Sequence, residues 1–187
     1  MKEILFIRHG STAGNLEKRY IGRTDEALCP LGIRQIEALK DENFKVDYLF
    51  VSPMLRTRQT ADILFPQQSV TTVEAFRETD FGIFEGKTAD ELSSSTDYQK
   101  WLDSFCLDPI PQGESVSAFK ERCCSAFEQI SPSIPEDSRS AFVVHGGVIM
   151  AILERFAEPK RDFYDYHITN GAYIRCSLSA DSKLQIL

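Results

Sequence analysis

Two of the three histidines stand where an imidazole can do chemistry. His9 lies in Arg8-His9-Gly10-Ser11-Thr12, with Asn15 three residues on, and His145 opens His145-Gly146-Gly147. A third polar cluster runs from Ser52-Pro53 to Arg56, Arg58, Gln59 and Thr60. A neutral imidazole nitrogen is a good nucleophile near pH 7, so it can accept a phosphoryl group. Arginine suits a tetrahedral dianion because it is always charged, planar and donates two parallel hydrogen bonds. A Gly-Gly pair between a strand and a helix lets backbone N–H groups approach an anion at the positive helix end. Arg8, His9, Arg56 and His145 therefore point to phosphoryl transfer through a phosphohistidine. The other ring nitrogen of His9 needs a fixed acceptor to set the tautomer, and a carbonyl in the Gly10 loop is at hand. A lone histidine at a strand end is more often structural than catalytic, and it is the company of arginines and a second histidine that shifts the balance. His167 has no such company and reads as an ordinary loop histidine. Three scattered histidines without nearby cysteines or paired carboxylates give no zinc spacing, so neither a metal nor a cofactor is expected.

These groups converge only if the segments before them are neighbouring strands. Residues 4–7, 46–52, 70–76 and 141–144 are short β-rich apolar runs, and 171–178 and 184–187 close the chain in the same way. Between them, helical spacing starts at Pro30 (Leu31, Ile33, Ile36, Leu39), after Pro53 (Leu55, Ala61, Leu64), and over 114–130 and 147–156. The inner stripe of 114–130 is Val116, Phe119, Cys123 and Phe127, and Pro132 to Pro135 end it. Such alternation predicts an α/β fold, a three-layer α/β/α sandwich around a mostly parallel central sheet. Ligands of these sheets bind beyond the carboxyl ends of the strands, where Arg8-His9, Ser52 and His145 stand. Residues 79–113 break the rhythm with three glycines, two prolines and the only tryptophan, Trp101, and read as a partly helical, lid-like insertion.

The 187 residues read as one domain over 1–187, large enough for a real core. Twenty-one basic against 28 acidic residues give a net charge of −7, which argues against a nucleic-acid partner. An anionic small substrate stays open, because a cleft can focus positive field whatever the net charge. No stretch approaches 18 uninterrupted apolar residues, so no membrane partner is expected, and the amino terminus reads as a first strand, not a signal peptide. Five cysteines without C-x-x-C spacing read as free thiols of a cytoplasmic protein, small core residues for the most part.

The motifs extend beyond the two histidines. They include Gly22-Arg23-Thr24-Asp25, Leu31-Gly32, Gln59-Thr60-Ala61, Arg77-Glu78 with Phe81-Gly82 and Glu85-Gly86, Gly113-Glu114-Ser115 and Val144-His145-Gly146-Gly147. In this collinear order the chain resembles the histidine phosphatase superfamily, which includes the cofactor-dependent phosphoglycerate mutases. The resemblance implies a phosphoglycerate mutase-like fold, with His9 the phosphorylated nucleophile and Arg8, Arg56 and His145 the phosphate pocket. It implies Asn15, Thr12 and Gly146 as further phosphate contacts, and Arg23 as a contact to phosphate or to the rest of the substrate. Glu78 looks like the general acid that protonates the leaving alkoxide and then the base that activates water. For a glutamate taken by itself, the competing reading is an ion pair with neighbouring Arg77.

Within the family, the 77–86 segment and short length look most like α-ribazole phosphatases, which hydrolyse α-ribazole 5′-phosphate in assembly of the cobalamin nucleotide loop. The mutases are longer, which favours hydrolysis of a small phosphate ester here. Broad-specificity phosphatases and mutase-like enzymes carry nearly the same signature. Phe84 stands where tryptophan is usual, Gln112 where glycine is usual and Ser11 where glutamate or glutamine is common, departures that bear on substrate rather than reaction. Some members have lost catalysis and serve as binding modules. Their mark is loss of the nucleophile or its arginines, and here the set is intact.

Overall fold

A computed structural model describes all 187 residues. In chain order the elements are β1 (Lys2–Arg8), α1 (Ala13–Leu16), α2 (Pro30–Ala38), β2 (Tyr48–Val51), α3 (Leu55–Leu64) and β3 (Val70–Thr72). There follow α4 (Ala89–Leu92), α5 (Thr96–Asp103), α6 (Val116–Ile130), β4 (Arg139–Val144), α7 (Gly146–Phe156), β5 (Ala157–Glu158), β6 (Tyr173–Leu178) and β7 (Leu184–Ile186). The seven strands form one sheet in the order β3-β2-β4-β1-β6-β7-β5, in which β3, β2, β4 and β1 run parallel. β6 pairs antiparallel with both β1 and β7.

The central strands are apolar throughout because both faces are covered, as parallel sheets require. Side chains alternate between faces, so β1 sends Ile4 and Phe6 to one core and Leu5 and Ile7 to the other. The first core holds Phe50, Phe142 and Val144 beneath α6 and α7, with Phe119, Cys123, Phe127, Val148, Ile152 and Phe156 among its members. The second holds Leu49, Val51, Ala141 and Val143 with Ala61 and Phe65 at the end of α3. These are the three expected layers.

Strand ends shift by one to a few residues from the sequence reading, as at β1 (Lys2–Arg8), β2 (Tyr48–Val51) and β6 (Tyr173–Leu178), and two differences change the packing. The third strand ends at Thr72 instead of running to Phe76, because residues Glu74–Phe76 turn as a 3₁₀ helix that drives Phe76, fully buried, into the first core. The pair Ala157–Glu158 adds a strand beside β7 that is too short to leave a periodic signal. Of the cysteines, Cys123, Cys124 and Cys176 are buried and all five are free thiols. No helix is long and apolar enough to cross a membrane.

The 79–113 segment builds a small core of its own from Phe84, Leu92, Tyr98, Trp101 and Ile110. Tyr20 docks onto it, its hydroxyl 2.8 Å from that of Tyr98. Phe84 is fully buried in this cluster, edge-on to Tyr98. Gln112 takes the left-handed backbone region at φ 60°.

Candidate active site

Strand order and register assemble the site. β1 lies beside β4 with Arg8 opposite Val144, and β2 lies on the other side of β4 with Val51 opposite Val143. The next residues along, His9, His145 and Ser52, therefore emerge together at the carboxyl edge. His9 N–H still donates to the Val144 carbonyl (3.1 Å), and Ser52 N–H to that of Val143 (3.1 Å). The two imidazoles meet edge to face with ring centroids 5.1 Å apart. Both are buried, His9 retaining 3% exposure and His145 none.

Each ring is oriented by one fixed partner. His9 Nδ1 lies 2.7 Å from the Gly10 carbonyl oxygen, the expected acceptor, which leaves Nε2 free. His145 Nε2 lies 2.8 Å from Ser52 Oγ, and its Nδ1 is buried without a partner. Burial first, and the Arg56 charge second, hold both imidazoles well below their ordinary pKa, so both are neutral at neutral pH. Asn170 supports His9 from behind, its amide donating to the His9 carbonyl (3.2 Å).

Two guanidinium groups surround this neutral pair. Arg56, on the first turn of α3, is 1% exposed and donates to the carbonyls of Thr24 (2.9 Å) and Gly22 (3.0 Å). Arg8 donates to the Ile168 carbonyl (2.5 Å), packs its guanidinium against Gly146, and buries an Nε that has no partner. Burial opposes the charge on both arginines. Buried Arg56, half-buried Arg8 with an orphaned Nε–H, and an orphaned His145 nitrogen at one strand edge form a cluster that an anion would complete.

Glu78 faces this cluster from the irregular segment after Phe76. Its carboxylate accepts from the Gly147 N–H (3.1 Å) and from the Thr79 N–H (2.9 Å). The alternative ion pair with Arg77 is not formed, since Arg77 pairs with Glu74 at 2.9 Å. The Gly147 amide thus serves Glu78 rather than lying open to an anion.

The remaining expected residues divide. Asn15 accepts from Thr12 N–H (3.2 Å) and from Asn170 (3.1 Å), which leaves its own NH₂ unengaged beside the His9 loop. Thr12 is fully buried and caps α1, its hydroxyl accepting from Asn15 N–H (3.3 Å), so its side chain belongs to the turn that presents Asn15. Arg23 is 70% exposed and pairs with Asp80 at 3.0 Å, at the outer rim. His167 is exposed, as read. Sequence reasoning left Ser52 without a role and missed Asn170. Ser52 had a signal, its place at the end of a buried strand, whereas Asn170 had none.

The chain matches the model of the histidine phosphatase superfamily (branch 1) over residues 4–185. It is 34% identical over 161 residues to "Putative phosphoserine phosphatase 2" of Hydrogenobacter thermophilus, covering 82% of this chain and 77% of that protein. It is 31% identical over 162 residues to "Probable phosphoglycerate mutase GpmB" of Erwinia tasmaniensis, covering 82% and 75%. Among solved structures, the α-ribazole phosphatase of Shigella flexneri superposes with a TM-score of 0.88 at 22% identity, over 99% of this chain and 95% of that one. A phosphoserine phosphatase from Entamoeba histolytica, solved with 3-phosphoglyceric acid, superposes with a TM-score of 0.82 at 23% identity over 100% and 95%. At these identities the superpositions show a common fold.

Proposed function

The chain belongs to the histidine phosphatase superfamily, and on that premise we propose that it hydrolyses phosphate monoesters without a metal, through a phosphohistidine on His9. The observation that carries the proposal is the cluster of buried Arg56, half-buried Arg8 and two orphaned nitrogens around a neutral His9. A phosphate dianion supplies the negative charge and the acceptors which that cluster lacks.

His9 Nε2 attacks phosphorus, the ester P–O bond breaks, and its electron pair leaves on the alkoxide oxygen, which takes a proton from Glu78. A water then attacks phosphorus while Glu78 takes one of its protons. The P–N bond breaks, the pair returns to His9, and inorganic phosphate departs. Arg8 and Arg56 hold fixed positive charge on the equatorial oxygens throughout, the largest contribution in phosphoryl transfer. The proton donor is worth ~10²–10⁴-fold for a poor leaving group.

The alcohol is best read as small and polar. A cavity of about 410 Å³ beside Glu78 is lined by Gly22, Arg23, Glu74, Arg77, Asp80, Glu114 and Arg122 and by no hydrophobic side chain; it touches the site through Glu78, since Arg8, His9, Arg56 and His145 do not line it. Serine and glycerate, the alcohols in the names of the relatives, have the matching chemistry. α-Ribazole 5′-phosphate, with its place in cobalamin assembly, is the second reading. It is supported by the 77–86 resemblance. A cytoplasmic location fits either substrate and the free thiols.

The test is phosphate release in chelator from phosphoserine, 3-phosphoglycerate, α-ribazole 5′-phosphate and p-nitrophenyl phosphate, with His9→Ala as the blank. A kcat/KM for one of the first two at least about tenfold above the ribazole ester is expected, a difference of ~1.4 kcal/mol. The reverse order would replace the polar alcohol with α-ribazole, and activity surviving in His9→Ala would end the phosphohistidine route.

A further inference from the structure

Residues Arg77 to Phe81, which carry Glu78, belong to no helix or strand, so their carbonyls have no ladder to join. One side chain on α6 supplies the missing donors. Arg122 donates to the carbonyls of Ala75 (2.7 Å), Arg77 (2.8 Å) and Glu78 itself (3.0 Å). The rest of its guanidinium grips Glu114 in two-pronged fashion, Nε to Oε2 at 3.0 Å and NH2 to Oε1 at 2.6 Å. Glu114 in turn accepts from the Asp80 N–H (2.9 Å), and its own N–H donates to the Asp80 carbonyl (3.1 Å). The segment from Ala75 to Asp80 is thus strung over a single ion pair, and the Glu78 peptide sits in its middle.

We infer that Arg122, locked by Glu114, is a positioning residue that delivers the Glu78 carboxyl to the leaving oxygen. The inference rests on Glu78 being the proton donor. The geometry explains why arginine is needed: the planar fork reaches three carbonyls and a carboxylate at once, which a lysine ammonium cannot. The guanidinium also lies over the Phe119 ring (4.9 Å), and that ring borders Gly147. Arg122 thus holds the backbone of Glu78, while the Gly147 and Thr79 N–H groups each hold one oxygen of its carboxylate. A misplacement of ~1 Å in a reacting group can cost ~10²-fold.

The experiment is a double-mutant cycle on leaving groups. Arg122→Gln and Glu78→Gln, singly and together, are assayed on an alkyl phosphate and on p-nitrophenyl phosphate, whose leaving group scarcely needs a proton. Arg122→Gln should lose ~10–100-fold in kcat/KM on the alkyl ester and at least about tenfold less on the nitrophenyl ester. In the Glu78→Gln background it should cost little more on either. Vanadate affinity reports that the phosphate pocket is still folded, and Arg122→Lys and Glu114→Gln serve if Arg122→Gln is insoluble. Equal losses on both esters, or full additivity with Glu78→Gln, would overturn the positioning role. If Glu78→Gln itself shows no preference for leaving group, the proton-donor reading falls and takes the inference with it. If Glu78→Gln shows that preference and the Arg122 variants do not, the inference alone falls.

Discussion

Replacing Gly147 by alanine separates the chemistry of the site from its stability. Gly147 is the second residue of α7, where its N–H holds Glu78 at 3.1 Å. A Cβ built there would fall inside hard contact with Glu78 Oε1, 3.2 Å from Glu78 Cδ and 3.0 Å from the edge of the Phe119 ring. The carboxyl is the free end of a flexible, partly buried side chain, so it yields first and must withdraw by about 1 Å to reach ordinary van der Waals separation. Buried Phe119 has to give only a few tenths of an ångström. Alanine is favoured over glycine within a helix by roughly 0.5–1 kcal/mol, which offsets most of that strain. Unfolding should therefore change by no more than about 1 kcal/mol, or ~2–4 °C in Tm for a chain of this size. The displaced proton donor should cost ~10²-fold in kcat/KM on an alkyl phosphate. Thermal unfolding and steady-state kinetics on an alkyl phosphate and p-nitrophenyl phosphate read the two effects apart. A Gly147→Ala protein that is folded, of normal Tm and fully active on the alkyl ester would refute the placement of Glu78 as proton donor against this amide.

The other predictions concern the two histidines. Ser52→Ala removes the partner that orients His145 and leaves a fully buried ring with neither nitrogen bonded. It should cost ~1–3 kcal/mol in urea unfolding and weaken vanadate binding, and unchanged affinity would show that His145 needs no orientation. Stability should also fall with acid. Unfolded imidazoles take up protons below about pH 6.5, whereas burial keeps the folded pair neutral well below it, so the unfolded state binds more protons. The stabilisation is complete above pH 6.5 and is lost as pH drops beneath it, by at most ~1.4 kcal/mol per pH unit for each histidine. Urea midpoints at pH 7.5 and 5.5 measure it, His145→Gln should roughly halve the slope, and a flat profile would contradict two buried neutral imidazoles. For the same reason kcat/KM should show no loss centred at 6.5 from protonation of His9.

Much of this protein was legible in its residues. Arg8-His9-Gly10 and His145-Gly146-Gly147 each follow an apolar run, and an α/β alternation places such ends on one edge of a sheet, because parallel strands share a direction. Local chemistry was legible too: the Gly10 carbonyl that orients His9 is one residue away, and close partners need no knowledge of the fold. Tertiary structure decided what depends on long-range pairing. That β4 lies between β1 and β2, and so sets His145 beside both His9 and Ser52, follows from how the crossover helices pack, which no periodicity encodes. That Arg77 turns to Glu74 and leaves Glu78 to Gly147 was equally open in the sequence, since either carboxylate was in reach of the arginine. Arg122 and Asn170 left no signal because they bond to backbone carbonyls 44 to 47 and 161 residues away, and every residue offers the same carbonyl. Residue types and spacing fixed which chemistry was possible; the packed sheet fixed which groups face one another, because burial and strand register, unlike motif, are properties of the whole chain.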